Sequence, residues 1–66
     1  MNFCINEKTN HVIIEITEKE LGKIIKTIRN STGLSSKEAK RLWKRKMVNI
    51  ARGEHLRDAD VDFRVI

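Results

Sequence analysis

The side chains with the clearest capacity for chemistry in this chain are basic ones, gathered between residues 37 and 52. That segment carries a net charge of +6, with Glu38 as its only acid, whereas the rest of the chain sums to −1. Lys and Arg side chains neutralise phosphates, so a basic helix face predicts salt-sensitive binding to RNA or DNA. The residues that would form such a nucleic-acid-binding face are Arg41, Lys44, Arg45 and Arg52.

Catalytic and metal-binding patterns are missing from the sequence. It has no Ser/His/Asp or Cys/His arrangement with local support, no glycine-rich phosphate loop and no clustered carboxylate pair on a helix. The one cysteine and two histidines do not match a zinc-ligand spacing. Asp58, Asp60 and Asp62 alternate, and we interpret them as solubilising charges at a sheet edge rather than metal ligands. We therefore expect no enzyme, no metal and no cofactor.

The length and cysteine content limit the architecture. Sixty-six residues form one domain with a small core. Cys4 is the only cysteine, so no internal disulfide can form, and we interpret Cys4 as a small strand residue. The chain has no apolar run of about 20 residues and no secretory signal, so we expect no membrane partner and a reduced, cytoplasmic location.

Two parts of the sequence predict β-structure. The segment HVIIEI, residues 11 to 16, is β-branched and apolar at most positions, and NFCI before it predicts a hairpin across residues 2 to 16. The alternative is a single N-terminal strand. Residues 60 to 66 form the predicted final strand, because Val61, Phe63 and Val65 alternate with charged residues.

Helix one is predicted over residues 18 to 32. Thr17 and Glu20 have the spacing of a capping box. Gly33 is a residue that can adopt the left-handed conformation that ends a helix. Between them lies an apolar stripe at helical spacing, composed of Leu21, Ile24, Ile25 and Ile28.

Helix two is predicted over residues 36 to 52, with a second capping box at Ser35 and Glu38 and an end at Gly53. Its apolar side comprises Ala39, Leu42, Trp43, Met47 and Ile50. Lys46 and Val48 do not fit this pattern, so a short strand over residues 47 to 51 is the alternative. For Trp43 we favour a core position over a role as a partner anchor or a base-stacking platform.

These elements predict an α+β fold of the order β(β)-α-α-β. It is a small two-layer sandwich in which a helix hairpin packs on a two- or three-stranded, mostly antiparallel sheet. Only one residue separates Gly33 from the next cap at Ser35, so the joint between the helices should fix their angle.

The segment KIIKTIRNSTGLSSKEAKRL, residues 23 to 42, resembles the helix-turn-helix of the C-terminal domain of the bacterial ribosomal stalk protein, the large-subunit protein seven/twelve. The family pattern there is close to I-K-x-[IV]-R-x-x-T-G-L-x-L-K-E-A-K-x-L. The matching residues are Ile25, Lys26, Ile28, Arg29, Thr32, Gly33, Leu34, Lys37, Glu38, Ala39, Lys40 and Leu42. The strands at residues 11 to 16 and 59 to 66 are similar to the family's opening and closing strands.

The resemblance implies a docking module for translational GTPases such as elongation factors Tu and G. The implied partner-binding positions are Gly22, Ile25, Lys26, Arg29 and Lys40. Gly22 stands where the family usually has an aliphatic residue, Ser36 replaces an apolar one and Ser35 a glycine. The region before the final strand is about ten residues shorter than in the family, so we expect the third helix to be missing.

Two functional hypotheses follow. The first is a non-enzymatic protein-binding module that uses helix one and the start of helix two, and the alternative is a nucleic-acid-binding module that uses helix two. We also predict a homodimer, because a domain this small leaves apolar surface uncovered. Either two final strands or two Trp43-bearing helix faces would pair.

Overall fold

The computed structural model describes the whole chain, residues 1 to 66, and its elements follow the order strand, strand, helix, helix, strand. The elements are β1 Asn2–Asn6, β2 His11–Ile16, α1 Glu18–Thr32, α2 Ser36–Ile50 and β3 Asp60–Val65, and a π-helical turn, Ala51–His55, continues α2. The predicted α+β class is confirmed, and so are the N-terminal hairpin and the bounds of helix one.

The sheet has three strands in the order β1-β2-β3, with β2 in the centre. The β1–β2 hairpin is antiparallel, with Phe3 opposite Ile14, whereas β2 and β3 run parallel, with Ile14 opposite Phe63. The sheet is therefore mixed rather than mostly antiparallel. Parallel neighbours need a long crossover connection, and the two helices between β2 and β3 provide it.

The core lies between one face of the sheet and the helix pair. Val12, Ile14 and Ile16 alternate along β2 and are almost completely buried. The helices and the segment before β3 contribute the rest of the buried side chains, which are Leu21, Ala39, Trp43, Met47, Ala51 and Ala59. The Trp43 ring lies 5.4 Å from the Phe63 ring, measured between centroids. Trp43 therefore belongs to the core, as favoured from the sequence.

The ends of α1 follow the local signals in the sequence. The Thr17 hydroxyl accepts from the Glu20 backbone N–H, and the Glu20 carboxylate accepts from the Thr17 backbone N–H, which completes a capping box. The N-terminal ammonium group of Met1 also donates to Glu20 at 2.9 Å, and this bond, with those from Thr17, lowers the pKa of Glu20. At the other end, Gly33 adopts φ +74° and its N–H donates to the Arg29 carbonyl.

The second helix begins at Ser36, as predicted, but its cap and its C-terminal end differ from the prediction. The Ser35 hydroxyl accepts from the Glu38 N–H, but the return bond from Ser35 to the Glu38 carboxylate does not form, so this cap is only half of the predicted box. Residues 47 to 50 are helical, which excludes the alternative strand. Gly53 does not stop the helix, because the backbone continues through it as a π-helical turn. That turn is closed by the Leu56 N–H donating to the Ala51 carbonyl.

The final strand shows the predicted alternation. Val61 and Phe63 are half-buried on the helix side of the sheet, while Asp60, Asp62 and Arg64 are exposed. Val65 continues the apolar face but is 44% exposed, because it lies at the end of the sheet. Only the π-helical turn and a short loop connect α2 to β3, so the fold has two full helices.

Candidate functional site

A shallow, open groove runs along α1 and ends at the joint (residues 33 to 35) between the two helices. We call it the α1 groove. Its residues recur at helical spacing on one side of α1 and continue over the joint, and they are Gly22, Ile25, Lys26, Arg29, Asn30, Gly33, Leu34 and Ser36. Four of the five partner-binding residues implied by the family resemblance therefore lie together.

Gly22 lines the α1 groove without a side chain. A methyl group added at this position would meet no other atom within 4 Å, so internal packing does not require a glycine here. Glycine in the middle of a helix costs about 0.5–1 kcal/mol relative to alanine. Next to it, Ile25 is half-buried and packs partly against the core, so some of its apolar surface remains available.

The charge of the α1 groove is positive. Lys26 and Arg29 are exposed, and no carboxylate lines the groove. The Arg29 Nε donates to the Leu34 carbonyl at 3.4 Å, a long hydrogen bond that holds the guanidinium group near the joint. The groove therefore suits an acidic surface that also carries a small apolar group to cover Ile25.

Lys40 does not belong to the groove. It is exposed on α2 and is not among the residues that line the depression. Asn30, Leu34 and Ser36 do line it, although sequence reasoning had not assigned them to the site. Asn30 could have been found from its spacing, since it lies four residues after Lys26 and eight after Gly22 on the same helix.

The basic residues of α2 are used in different ways. Arg41 and Arg45 are exposed and form no hydrogen bond or ion pair within the chain. Lys44 Nζ lies 5.5 Å from the centre of the Phe63 ring, a cation–π geometry. Arg52 Nε donates to the Ala59 carbonyl at 2.9 Å and so helps to hold the loop before β3. Trp43 is 6% exposed and offers no surface on which a base could stack.

The open face of the sheet carries the remaining polar contacts. His11 Nε2 lies 2.6 Å from Asp62 Oδ2, and Arg64 donates to Glu15 at 3.2 Å. Cys4 donates to Glu15 at 3.4 Å, and this hydrogen bond to a carboxylate raises the pKa of the thiol, which disfavours the reactive thiolate.

No group of three or more metal-binding side chains occurs anywhere in the chain. None of the helices has the length and apolar character needed to cross a membrane.

Comparison of the chain with protein-family models, with curated proteins and with solved structures gives no match.

Proposed function

We propose that the protein is a non-enzymatic binding module that holds a protein partner in the α1 groove. The observation that carries this proposal is the convergence of Gly22, Ile25, Lys26 and Arg29 on one depression. They are also four of the five positions that the resemblance to the stalk domain implies as partner contacts. Their grouping supports a shared surface on α1, and Leu34 and Ser36 extend this surface to the start of α2.

The chemistry of the α1 groove indicates the kind of partner. Two cations without a facing carboxylate favour an acidic segment, and complementary charge increases the rate at which partners associate. Ile25 supplies half-exposed apolar area beside them, and Arg is among the residues that contribute most to protein–protein interfaces. Ser36 adds a hydroxyl at the joint, so the groove is more polar than one lined by an aliphatic residue at that position.

Among possible protein partners, the resemblance to the ribosomal stalk C-terminal domain favours a translational GTPase. The proposed contact positions are Gly22, Ile25, Lys26 and Arg29, with Lys40 on α2 as an outlying contact beyond the groove. Gly22 and Ser36 differ from the family pattern, so we expect the partner's contacting side chain to be bulkier than in the family.

The direct test is titration of the protein with purified elongation factors Tu and G. The double variant Lys26→Glu/Arg29→Glu reverses the charge of the groove and should weaken binding by about a hundredfold or more. The matched control is Lys19→Glu/Lys23→Glu, which makes the same charge change on exposed α1 positions outside the groove. Equal losses of affinity in both variants would show that the interaction is nonspecific charge attraction. Full binding by the groove variant would refute the proposed site.

A second candidate function is nucleic-acid binding by α2, and it is favoured by the exposure of Arg41 and Arg45 within a segment of net charge +6. The other two basic residues of that face, Lys44 and Arg52, are engaged within the chain. In this case Arg41→Glu/Arg45→Glu would remove binding to RNA or DNA, and affinity would fall steeply as salt is raised. Binding that depends on the α1 groove and not on α2 would exclude this candidate.

A further inference from the structure

The outer edge of β3 presents unpaired backbone groups. The Asp60 N–H donates to the Asn10 carbonyl and the Ile66 N–H to the Ile16 carbonyl, so the even-numbered residues of this segment direct their amides toward β2. Because successive residues of a strand alternate, Val61, Phe63 and Val65 direct their N–H and C=O groups away from the sheet. No other strand of the chain pairs with this edge, since β3 is the last strand in the sheet order.

We propose that this edge pairs with β3 of a second copy of the chain, antiparallel, about a twofold axis through Phe63. In this register Phe63 lies opposite Phe63 of the other copy, and Val61 lies opposite Val65. All of these residues have outward-directed backbone groups, so they form three hydrogen-bonded pairs. The result is a continuous six-stranded sheet with both helix pairs on one side.

Charge selects this register. Between the hydrogen-bonded pairs, Asp62 of each copy faces Arg64 of the other, where the Cα atoms of such pairs are only about 4.5 Å apart. A shift by two residues in one direction places Asp62 opposite Asp62, although it also pairs Asp60 with Arg64, and a shift in the other places Arg64 opposite Arg64. Only the register centred on Phe63 pairs Asp62 with Arg64 and places neither of them opposite its own copy. Asp62 already contacts His11, and Arg64 contacts Glu15, so both side chains are on the open face of the sheet.

The other edge of the sheet is less suited to self-association. By the same alternation, only Phe3 and Ile5 of β1 direct their backbone groups outward, which gives fewer hydrogen-bonded pairs than β3 offers. The residues of β1 also carry no charged side chains to set a register. Pairing of β1 with β3 would be heterologous and would extend into filaments instead of closing.

The dimer is expected to be weak, with dissociation in the micromolar to millimolar range. Its interface is essentially one strand pair, and the Lys44 side chain of each copy, over its own Phe63, comes near the axis and adds repulsion. None of the residues that line the α1 groove belongs to β3, so both grooves remain open in the dimer. The inference is therefore independent of the proposed function.

A charge-pairing experiment tests the register. In a homodimer, Asp62→Lys places an ammonium group opposite the Arg64 guanidinium, and Arg64→Asp places a second carboxylate opposite that of Asp62. Each variant alone should therefore dimerise at least about tenfold more weakly than the original chain. Mixed in equal amounts, the two variants should form a heterodimer. One of its cross-strand pairs joins the introduced lysine to the introduced aspartate, and the other joins the original Asp62 and Arg64. Both pairs are therefore attractive.

Sedimentation equilibrium and native mass spectrometry measure this exchange of partners. The expected result is a mixture that is more associated than either variant alone, with a mass that identifies one copy of each. A mixture no more associated than its components, or an original chain that stays monomeric to millimolar concentration, would overturn the proposal.

A backbone experiment tests the edge itself. Val65→Pro removes a backbone N–H that makes no hydrogen bond within the chain. Because the Val65 side chain is exposed, the fold should persist while dimerisation is lost. Val65→Thr keeps the N–H and the β-branched shape and should remain dimeric. Circular dichroism checks the fold of both variants. A Val65→Pro protein that is folded and still dimeric would place the interface elsewhere, with the β1 edge the first alternative to examine.

Discussion

The two helices are alike in length and in amphipathic pattern, but they are buried to different extents. The 15-residue α2 places Ala39, Trp43 and Met47 in the core, whereas the 15-residue α1 places only Leu21 there. The other apolar residues of α1, which are Ile24, Ile25 and Ile28, are half-buried. An apolar stripe therefore does not by itself indicate a core face: α2 uses its stripe to build the domain, and α1 keeps part of its stripe available for contact.

The charged residues divide less completely. Lys44 on α2 and Arg52 in the π-helical turn interact with Phe63 and the Ala59 carbonyl, which belong to β3 and to the loop before it, whereas Arg41 and Arg45 on α2 make no such contact. On α1, Lys26 faces the groove and makes no ion pair, and Arg29 contacts only the joint. A cation that is engaged within the fold has less freedom to bind a partner, so the number of basic residues on a helix is a weaker guide to a binding surface than their engagement within the chain.

The largest expected difference between the helices is in stability. Trp43→Ala removes a buried ring that contacts Phe63 and should cost about 3–5 kcal/mol, enough to unfold a domain of this size at room temperature. Ile25→Ala removes a half-buried side chain of α1 and should cost about 1 kcal/mol. Thermal and urea unfolding followed by circular dichroism measure both variants.

If the two substitutions destabilised the protein equally, the distinction between an α2 that builds the core and an α1 that is proposed to bind a partner would fail. Because Trp43→Ala is expected to unfold the protein, Trp43→Phe serves as the companion variant. It should retain the fold with an intermediate loss of stability and should leave binding in the α1 groove intact.

A smaller effect is expected at the joint that sets the angle between the helices. Gly33 has φ +74° and open space around it, so Gly33→Ala should destabilise by about 1 kcal/mol through backbone strain alone, without a steric clash. Gly53 also has open space but lies in the π-helical turn without positive φ. Gly53→Ala is therefore the matched control and should be neutral or slightly stabilising.

An equal effect of alanine at both glycines would contradict this account of the joint. The same pair of variants also tests whether the angle matters for binding, because Leu34 within the joint and Ser36 directly after it line the α1 groove. Gly33→Ala should lower partner affinity beyond its effect on stability, whereas Gly53→Ala should not change it.

The features that could be predicted from sequence are those set by short-range interactions. The cap at Thr17, the end at Gly33 and the alternation of β3 each depend on residues a few positions apart, and the structure reproduces them. The direction of β3 depends instead on the path of the crossover, which no local pattern encodes, and so the parallel pairing was missed. The predicted helix end at Gly53 is wrong, because glycine is compatible with a helix end but does not force the helix to stop.

The same contrast between short-range and long-range features applies to the candidate site. Helical spacing is enough to bring Gly22, Ile25, Lys26 and Arg29 to one groove, since all four lie on α1. Lys40 lies on the other helix, and its position relative to the groove depends on the angle at the joint. Asn30, Leu34 and Ser36 carry no strong chemical signal in sequence, and only the shape of the depression identifies them.

The smallest effect, and the one that separates the two roles of α1 most sharply, is expected at Gly22. Its position in a helix with open space around it means that Gly22→Ala should raise stability by about 0.5–1 kcal/mol. The added methyl group would take up space in the α1 groove and should weaken partner binding at the same time. Thr27→Ala is the control, because it improves helix propensity at an exposed α1 position outside the groove and should leave affinity unchanged. Stability and affinity that both rose in Gly22→Ala would show that the partner does not enter the groove at this point, since a partner seated on Gly22 must lose contact when the methyl group takes its place.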